Sequence, residues 1–313
     1  MLIIIWVIIL ALLIGPFLIS VPKISGSVDA KKLADVDSKF INVKGVNIHY
    51  KELGNGDVTY VLIHGFGAST FSWHKIMPEL AKDSRVIAFD RPGFGLTDRP
   101  IKWKRFNPYS PKSQVDITIG LMDALNVKNA IIIGHSAGGV VALDTALRYP
   151  ERVSKLILVD AIIYESGVLQ KWLLPVVNTP QMNHLGPLLA RVVKIGGDEF
   201  LRSTWHNPNN ITPSIYDGYH QVLKIENWDR ALWNLTKSTY SLHSEKHLKE
   251  LLMPVLVVTG DDDRIVQTKN SIKLAGEIPG AKLEVIKDAG HIPFEETPSE
   301  FLRVLGQWLA SLS

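Results

Sequence analysis

Cysteine is absent from the 313 residues. That absence removes disulfides, a thiolate nucleophile and Cys-ligated zinc or iron–sulfur centres. A dominant charge is missing too: 34 basic against 31 acidic side chains leave a formal net charge of +3. With no Lys/Arg-dense run, the chain has no electrostatic footprint for a nucleic acid. No H-E-x-x-H signature and no internal repeat are present, so neither a zincin-type metal site nor a solenoid is expected. At 46% hydrophobic and 21% charged residues, the composition excludes a disordered or collagen-like chain.

Charged side chains are also lacking from the whole of residues 1–22, and Met1 to Ile19 are nearly all apolar. About 20 such residues at 1.5 Å each span a bilayer core of roughly 30 Å. The expectation is a single N-terminal membrane anchor, with a cleaved signal peptide and a secreted product as the alternative. A signal peptide wants a basic start and a small-x-small cleavage site, and neither is evident. Lys23, Lys31 and Lys32 follow the segment and would place the remainder on the cytoplasmic side. Residues 23–38 read as a polar linker.

From Phe40 onward, short β-rich runs alternate with helical periodicity. The runs are Phe40–Val43, Asn47–Glu52, Tyr60–His64, Arg85–Asp90, Ala130–Gly134, Lys155–Asp160, Val255–Thr259 and Leu283–Ile286. Helices are expected over Trp73–Ala81, from Pro111 to about Asn126, over Ala137–Arg148, near Thr268–Glu277 and from Pro298 to about Leu312. Ser110-Pro111 supplies an N-cap and a first-turn proline. Such alternation predicts a mostly parallel sheet of eight strands with helices on both faces. Residues 39–163 and 250–313 form this core. Residues 164–249 break the alternation and read as a helical cap over the C-terminal edge of the sheet, where open α/β sheets bind ligands. Two or three of Trp172, Trp205, Trp228 and Trp233 are expected to fill a core there.

The sharpest motif is Gly134-His135-Ser136-Ala137-Gly138, between a buried-strand run and an apolar-periodic helix. This is G-x-S-x-G in the strand–turn–helix context that exposes a nucleophilic serine. Serine needs a base, and His291 stands in a Gly- and Pro-flanked loop after the last strand. The imidazole needs an orienting carboxylate. Asp261, Asp262 and Asp263 all follow the strand Val255–Thr259, and on spacing any of them could serve. His243 and His247, four apart, would share a helix face, without the signature of a metal site.

These motifs, together with His64-Gly65-Phe66-Gly67 and Asp90-Arg91-Pro92-Gly93-Phe94-Gly95, resemble the α/β-hydrolase superfamily in its capped esterase, lipase and C–C hydrolase branch. The resemblance runs from Phe40 to the C-terminus and implies the α/β-hydrolase fold. It favours Asp263 as the acid, through G-x-x-D at Gly260–Asp263, with Asp160 as the alternative. It implies an oxyanion hole from the backbone N–H groups of Phe66 and Ala137. Phe66, His135 and Ile292 are expected at the substrate, and His64 as a loop hydrogen-bonder. Haloalkane dehalogenases and epoxide hydrolases share the HGF and DRPGFG segments but use an aspartate where Ser136 stands.

The leading expectation is a serine carboxylic-ester hydrolase that needs no metal or cofactor. Its substrates would include lipid-derived esters, as in membrane-anchored monoacylglycerol lipases. The alternatives are a C–C bond hydrolase of ring-cleavage products and a non-catalytic membrane-tethered binding module.

Overall fold

The computed structural model describes residues 2–164, 171–238 and 243–312. Chain order runs α1 (Leu2–Leu18), β1 (Lys39–Val43), β2 (Val46–Leu53), β3 (Thr59–Ile63), α2 (Met77–Leu80), β4 (Arg85–Phe89), α3 (Pro111–Ala124), β5 (Ala130–His135), α4 (Ala137–Arg148) and β6 (Val153–Val159). Four helices of three turns or fewer and one single turn follow: α5 (Leu174–Val177), α6 (Pro180–Ala190), α7 (Val193–Ser203), α8 (Pro213–His220) and α9 (Trp228–Ser238). The α/β alternation then resumes with β7 (Val255–Gly260), α10 (Thr268–Glu277), β8 (Lys282–Ile286), α11 (Pro293–Glu296) and α12 (Pro298–Ala310).

The strands form one eight-stranded sheet in the order β1-β2-β4-β3-β5-β6-β7-β8. β1 pairs antiparallel with β2, and β2 with β4. All other pairings are parallel. Every residue of β5 and β7 is buried. This is why these strands read as unbroken apolar runs: helices cover both faces. Two separate apolar cores result. One contains Ile132, Val141 and Leu158, and the other Ile133, Trp73 and Phe301. Ser110 Oγ accepts the N–H of Ser113 and starts α3, as its position before Pro111 predicts.

Three local expectations are corrected. The segment Trp73–Ala81 is not one helix: a 3-10 turn, Thr70–Trp73, precedes the single turn α2. Pro78 lacks an N–H, so it starts a helix and cannot continue one. His243 and His247 share no helix face but flank a 3-10 turn, Ser244–Lys246. Each sits by a nearby carboxylate, Glu245 and Glu250 respectively. Residues 23–38 are no free linker. Val28 bridges Ile225, and Lys51 pairs with Asp35 at 2.5 Å.

α1 has 17 residues and carries Pro16, so it extends about 25 Å, less than a bilayer core. No helix among the described residues is long and apolar enough to cross a membrane. α1 rests against α6, where Gln181 Nε2 donates to the carbonyl of Leu13 and His184 Nε2 to that of Ile19.

Of the four tryptophans between β6 and β7, Trp205, Trp228 and Trp233 are buried and Trp172 is 70% exposed.

Candidate active site

Ser136 occupies the sharp turn between β5 and α4, with φ 52° and ψ −120°. The glycines around it follow from close approach. A Cβ on Gly134 would stand 2.5 Å from Ala142 Cβ, one on Gly138 2.2 Å from Ile63 O, and one on Gly139 2.5 Å from Ala161 Cβ. The helix can therefore enter against β3 and β6 only where these side chains are missing. Gly65 is placed by the same logic: its Cβ would stand 2.8 Å from His135 Nδ1 and 3.1 Å from Ser136 Cβ. This lets the loop after β3 pass directly over the serine.

The C-terminal ends of five neighbouring strands deliver the candidate residues: the Phe66 loop after β3, Ser136 after β5, Asp160 after β6, Asp263 after β7 and His291 after β8. Among the three consecutive aspartates, only Asp263 faces the imidazole. His291 Nδ1 donates to its Oδ2 at 2.8 Å. Oδ1 of Asp263 accepts the N–H groups of Ile265 and Val266 at 2.8 and 3.0 Å. Asp262 turns the other way, to His206 Nδ1 at 2.9 Å and to Arg264. Asp261 Oδ1 accepts the N–H of Ala289 at 3.4 Å.

Asp160 lies beside this pair. The ligand-type atoms of Asp160, Asp263 and His291 are within 4.8 Å of one another. The Nδ1 proton of His291 already fills the gap to Asp263, so the grouping has the form of a base and its orienting acid.

Ser136 and His291 both line a cavity of about 490 Å³. Phe66, Ala137, His135 and Ile292 line it as well, so every site residue expected from the sequence borders this space except Asp263, which lies behind His291. Ala137 is the first residue of α4, where a backbone N–H has no partner within the helix. Phe66 meets Phe94 edge-on at 5.7 Å and forms part of the wall. Val140, Phe200, Leu223, Trp228, Leu232 and Leu235 make the remaining surface largely apolar.

The flanking histidines are held neutral. Burial, reinforced by Arg91, pushes His64 down to about 3. Its Nδ1 donates to Gly65 O, and its Nε2 accepts the N–H of Arg91. Burial, then the neighbouring His291, holds His135 well below the usual histidine range. His135 Nε2 donates to the carbonyl of His291 at 2.9 Å. His135 therefore braces the main chain of the candidate base besides lining the cavity.

Asp90 organises the Asp90–Gly95 loop. Its carboxylate accepts from His49 Nδ1, Thr70 N and Leu96 N at 2.6, 2.6 and 2.7 Å. Burial alone would raise its pKa, but these bonds, His49 foremost, bring it down to about 2.

Two further groups carry no motif. Glu296 accepts the N–H groups of Gly290 and His206 on Oε2 and of Asn207 on Oε1, joining the His291 loop to the insertion. Glu295, buried beneath Tyr219, accepts its hydroxyl at 2.6 Å. Burial pushes Glu295 up to about 7. Both follow His291 closely in sequence, yet only their cross-chain partners distinguish them from ordinary acidic residues at a helix start.

Comparison with known proteins gives the family of the chain. Residues 60–304 match the model of the "Alpha/beta hydrolase family". The chain is 30% identical over 258 residues to the uncharacterized hydrolase YugF of Bacillus subtilis, covering 82% of this chain and 92% of that one. It is 28% identical over 275 residues to 2-hydroxymuconate semialdehyde hydrolase of Pseudomonas sp. strain CF600, covering 85% and 91% respectively. Among solved structures, it is similar to a meta-cleavage product hydrolase from Pseudomonas fluorescens IP01, with TM-score 0.71 and 26% identity over 89% of this chain and all of that one. The chain belongs to the α/β hydrolase family.

Proposed function

We propose that this protein is a serine hydrolase that cleaves carboxylic esters with an apolar acyl part. The observation that carries this reading is the cavity: Ser136 and His291 border a space of about 490 Å³ whose other walls are mainly aliphatic and aromatic. Ser136 Oγ attacks the acyl carbonyl carbon while His291 Nε2 takes its proton. Asp263 keeps the imidazole in the tautomer that leaves Nε2 free. The Phe66 and Ala137 N–H groups take the developing oxyanion, each such donor being worth about 100- to 1000-fold in turnover. The proton then passes from His291 to the leaving alcohol, and water activated by the same histidine releases the acid and restores Ser136.

A lipid-derived ester, such as a monoacylglycerol, suits these walls and also the N-terminus. α1 exposes apolar side chains around its circumference, including Ile3, Trp6 and Leu12 at 80%, 67% and 67%. A helix apolar on all sides seeks an apolar medium, and the surface proposed for it is a lipid bilayer. Flotation of the full chain with phosphatidylcholine vesicles should succeed and should fail in Ile8→Glu/Leu12→Glu. Equal flotation of the two would remove α1 from membrane binding.

A second reading is cleavage of a C–C bond in an anionic ring-cleavage product on the same triad. Arg91 and Arg99 favour it: both line the cavity, and their positive charge would attract an anionic substrate. Hydrolysis of p-nitrophenyl esters from two to sixteen carbons, beside a meta-cleavage dienoate, separates the readings. Ser136-dependent turnover that favours medium or long acyl chains supports the first. Turnover confined to the dienoate would replace it with the second.

A further inference from the structure

Asp160 is the carboxyl beside the triad that the mechanism above leaves unused. It is fully buried and stands at a φ of 46°, a left-handed conformation that few non-glycine residues adopt. Its Oδ1 accepts one long hydrogen bond, from Gly260 N–H at 3.3 Å. Its Oδ2 is closed off from solvent and has no partner. The charged or titratable groups that face it are Asp263 and His291, and Thr259 is the nearby hydroxyl.

An ionised Asp160 would be a buried charge with one long hydrogen bond, a few ångströms from a second carboxylate. Asp263 accepts three N–H donors, from His291, Ile265 and Val266. Two adjacent buried carboxyls share one negative charge, and the better-solvated one keeps it. Burial first, and Asp263 second, push Asp160 well above the ordinary carboxylate range. A proton on Oδ2 converts an orphaned acceptor into a donor, and the acceptor that faces it is Asp263.

We propose that Asp160 is a neutral positioning residue whose carboxyl O–H donates to Asp263 and holds that carboxylate against His291 Nδ1. This role presupposes that Asp263 serves His291 as in the proposed mechanism. It does not depend on the substrate.

Two measurements on the full chain test it. The first is an infrared difference spectrum between wild type and Asp160→Asn at pH 8. A protonated-carboxyl C=O band present only in wild type is expected, and a carboxylate band in its place overturns the proposal. No turnover is needed, so the protonation state is decided even if no ester is hydrolysed.

The second is the pH dependence of kcat/KM on an ester substrate. Asp160→Asn keeps a donor and should stay within about threefold of wild type, with its profile unmoved. Asp160→Ala removes the donor and should lose about tenfold, the worth of a hydrogen bond to a charged group. Its acidic limb should move to higher pH, because Asp263 then holds the imidazolium more strongly. Either of two results overturns the positioning role. One is an unchanged rate and profile in a folded Asp160→Ala protein. The other is a loss in Asp160→Asn as deep as that in Asp263→Asn. If Asp160→Ala does not fold, the spectrum and the Asp160→Asn profile still decide.

Discussion

The backbone N–H of His291 donates to the carbonyl oxygen of Thr204 at 2.7 Å. Thr204 closes α7, so the candidate base is tied to the helical insertion as well as to the sheet. The tie is tight: a Cβ on Gly290 would stand 2.4 Å from the same Thr204 oxygen. The insertion therefore fixes the loop that carries His291, in addition to roofing the cavity.

The first prediction concerns Glu296, which clamps this junction through the N–H groups of Gly290, His206 and Asn207. Glu296→Ala leaves three N–H donors without their acceptor. Ester turnover should fall about tenfold or more through kcat, because the geometry of the base loosens. Steady-state kinetics with a circular dichroism control checks this. A kcat equal to wild type would show that the Thr204 contact suffices alone.

Glu295 should make stability depend on pH. Its folded-state pKa of about 7 lies above the ordinary 4.5. The folded protein then binds the proton more tightly than the unfolded chain, so stability is complete below pH 4.5 and declines as pH rises through 7. Replacing the acid by its amide removes that decline and keeps an acceptor for Tyr219. In urea melts, Glu295→Gln should gain on the order of 2–3 kcal/mol over wild type at pH 8.5 relative to pH 5. An identical difference between the two proteins at both pH values would contradict the assignment.

Gly138→Ala tests why the nucleophile turn is built from small residues. Its Cβ would meet backbone, Ile63 O at 2.2 Å and His64 O at 2.4 Å, and neither can swing aside. A loss of about 1–3 kcal/mol is expected, with turnover reduced because β3 and α4 must separate beside Ser136. Thermal melts and ester kinetics measure both effects.

Phe66→Ala separates a wall from an oxyanion donor. The ring of Phe66 packs against Phe94, whereas the proposed donor is its main-chain N–H. KM should rise several-fold while kcat stays well above the 100- to 1000-fold loss typical of a missing donor, within about threefold of wild type. A loss of kcat in that larger range, with KM unchanged, would show that the ring is what positions the amide.

Much of this architecture was legible in the chain. The helices Ala137–Arg148 and Thr268–Glu277 lie where periodicity and bounding turns place them, and the alternation of runs predicts the parallel sheet. Position in G-x-x-D singles out Asp263, but only coordinates show Asp262 turned toward His206. The bonds from His206 and Asn207 to Glu296 and the Tyr219–Glu295 contact join residues 76 or more positions apart, beyond the reach of any local pattern. The break before Met77 is hidden by helix-like spacing of Trp73, Ile76, Met77 and Leu80, which continues across the proline. The N-terminal apolar run forms a helix, α1 (Leu2–Leu18).

The central claim is that Ser136 is the nucleophile. Intact-mass spectrometry after treatment with a fluorophosphonate tests it most directly, on the wild-type chain and on Ser136→Ala. One covalent adduct is predicted on wild type, mapped to Ser136 and absent from the variant. An adduct that persists in Ser136→Ala, or none on the folded wild-type protein, would contradict the account.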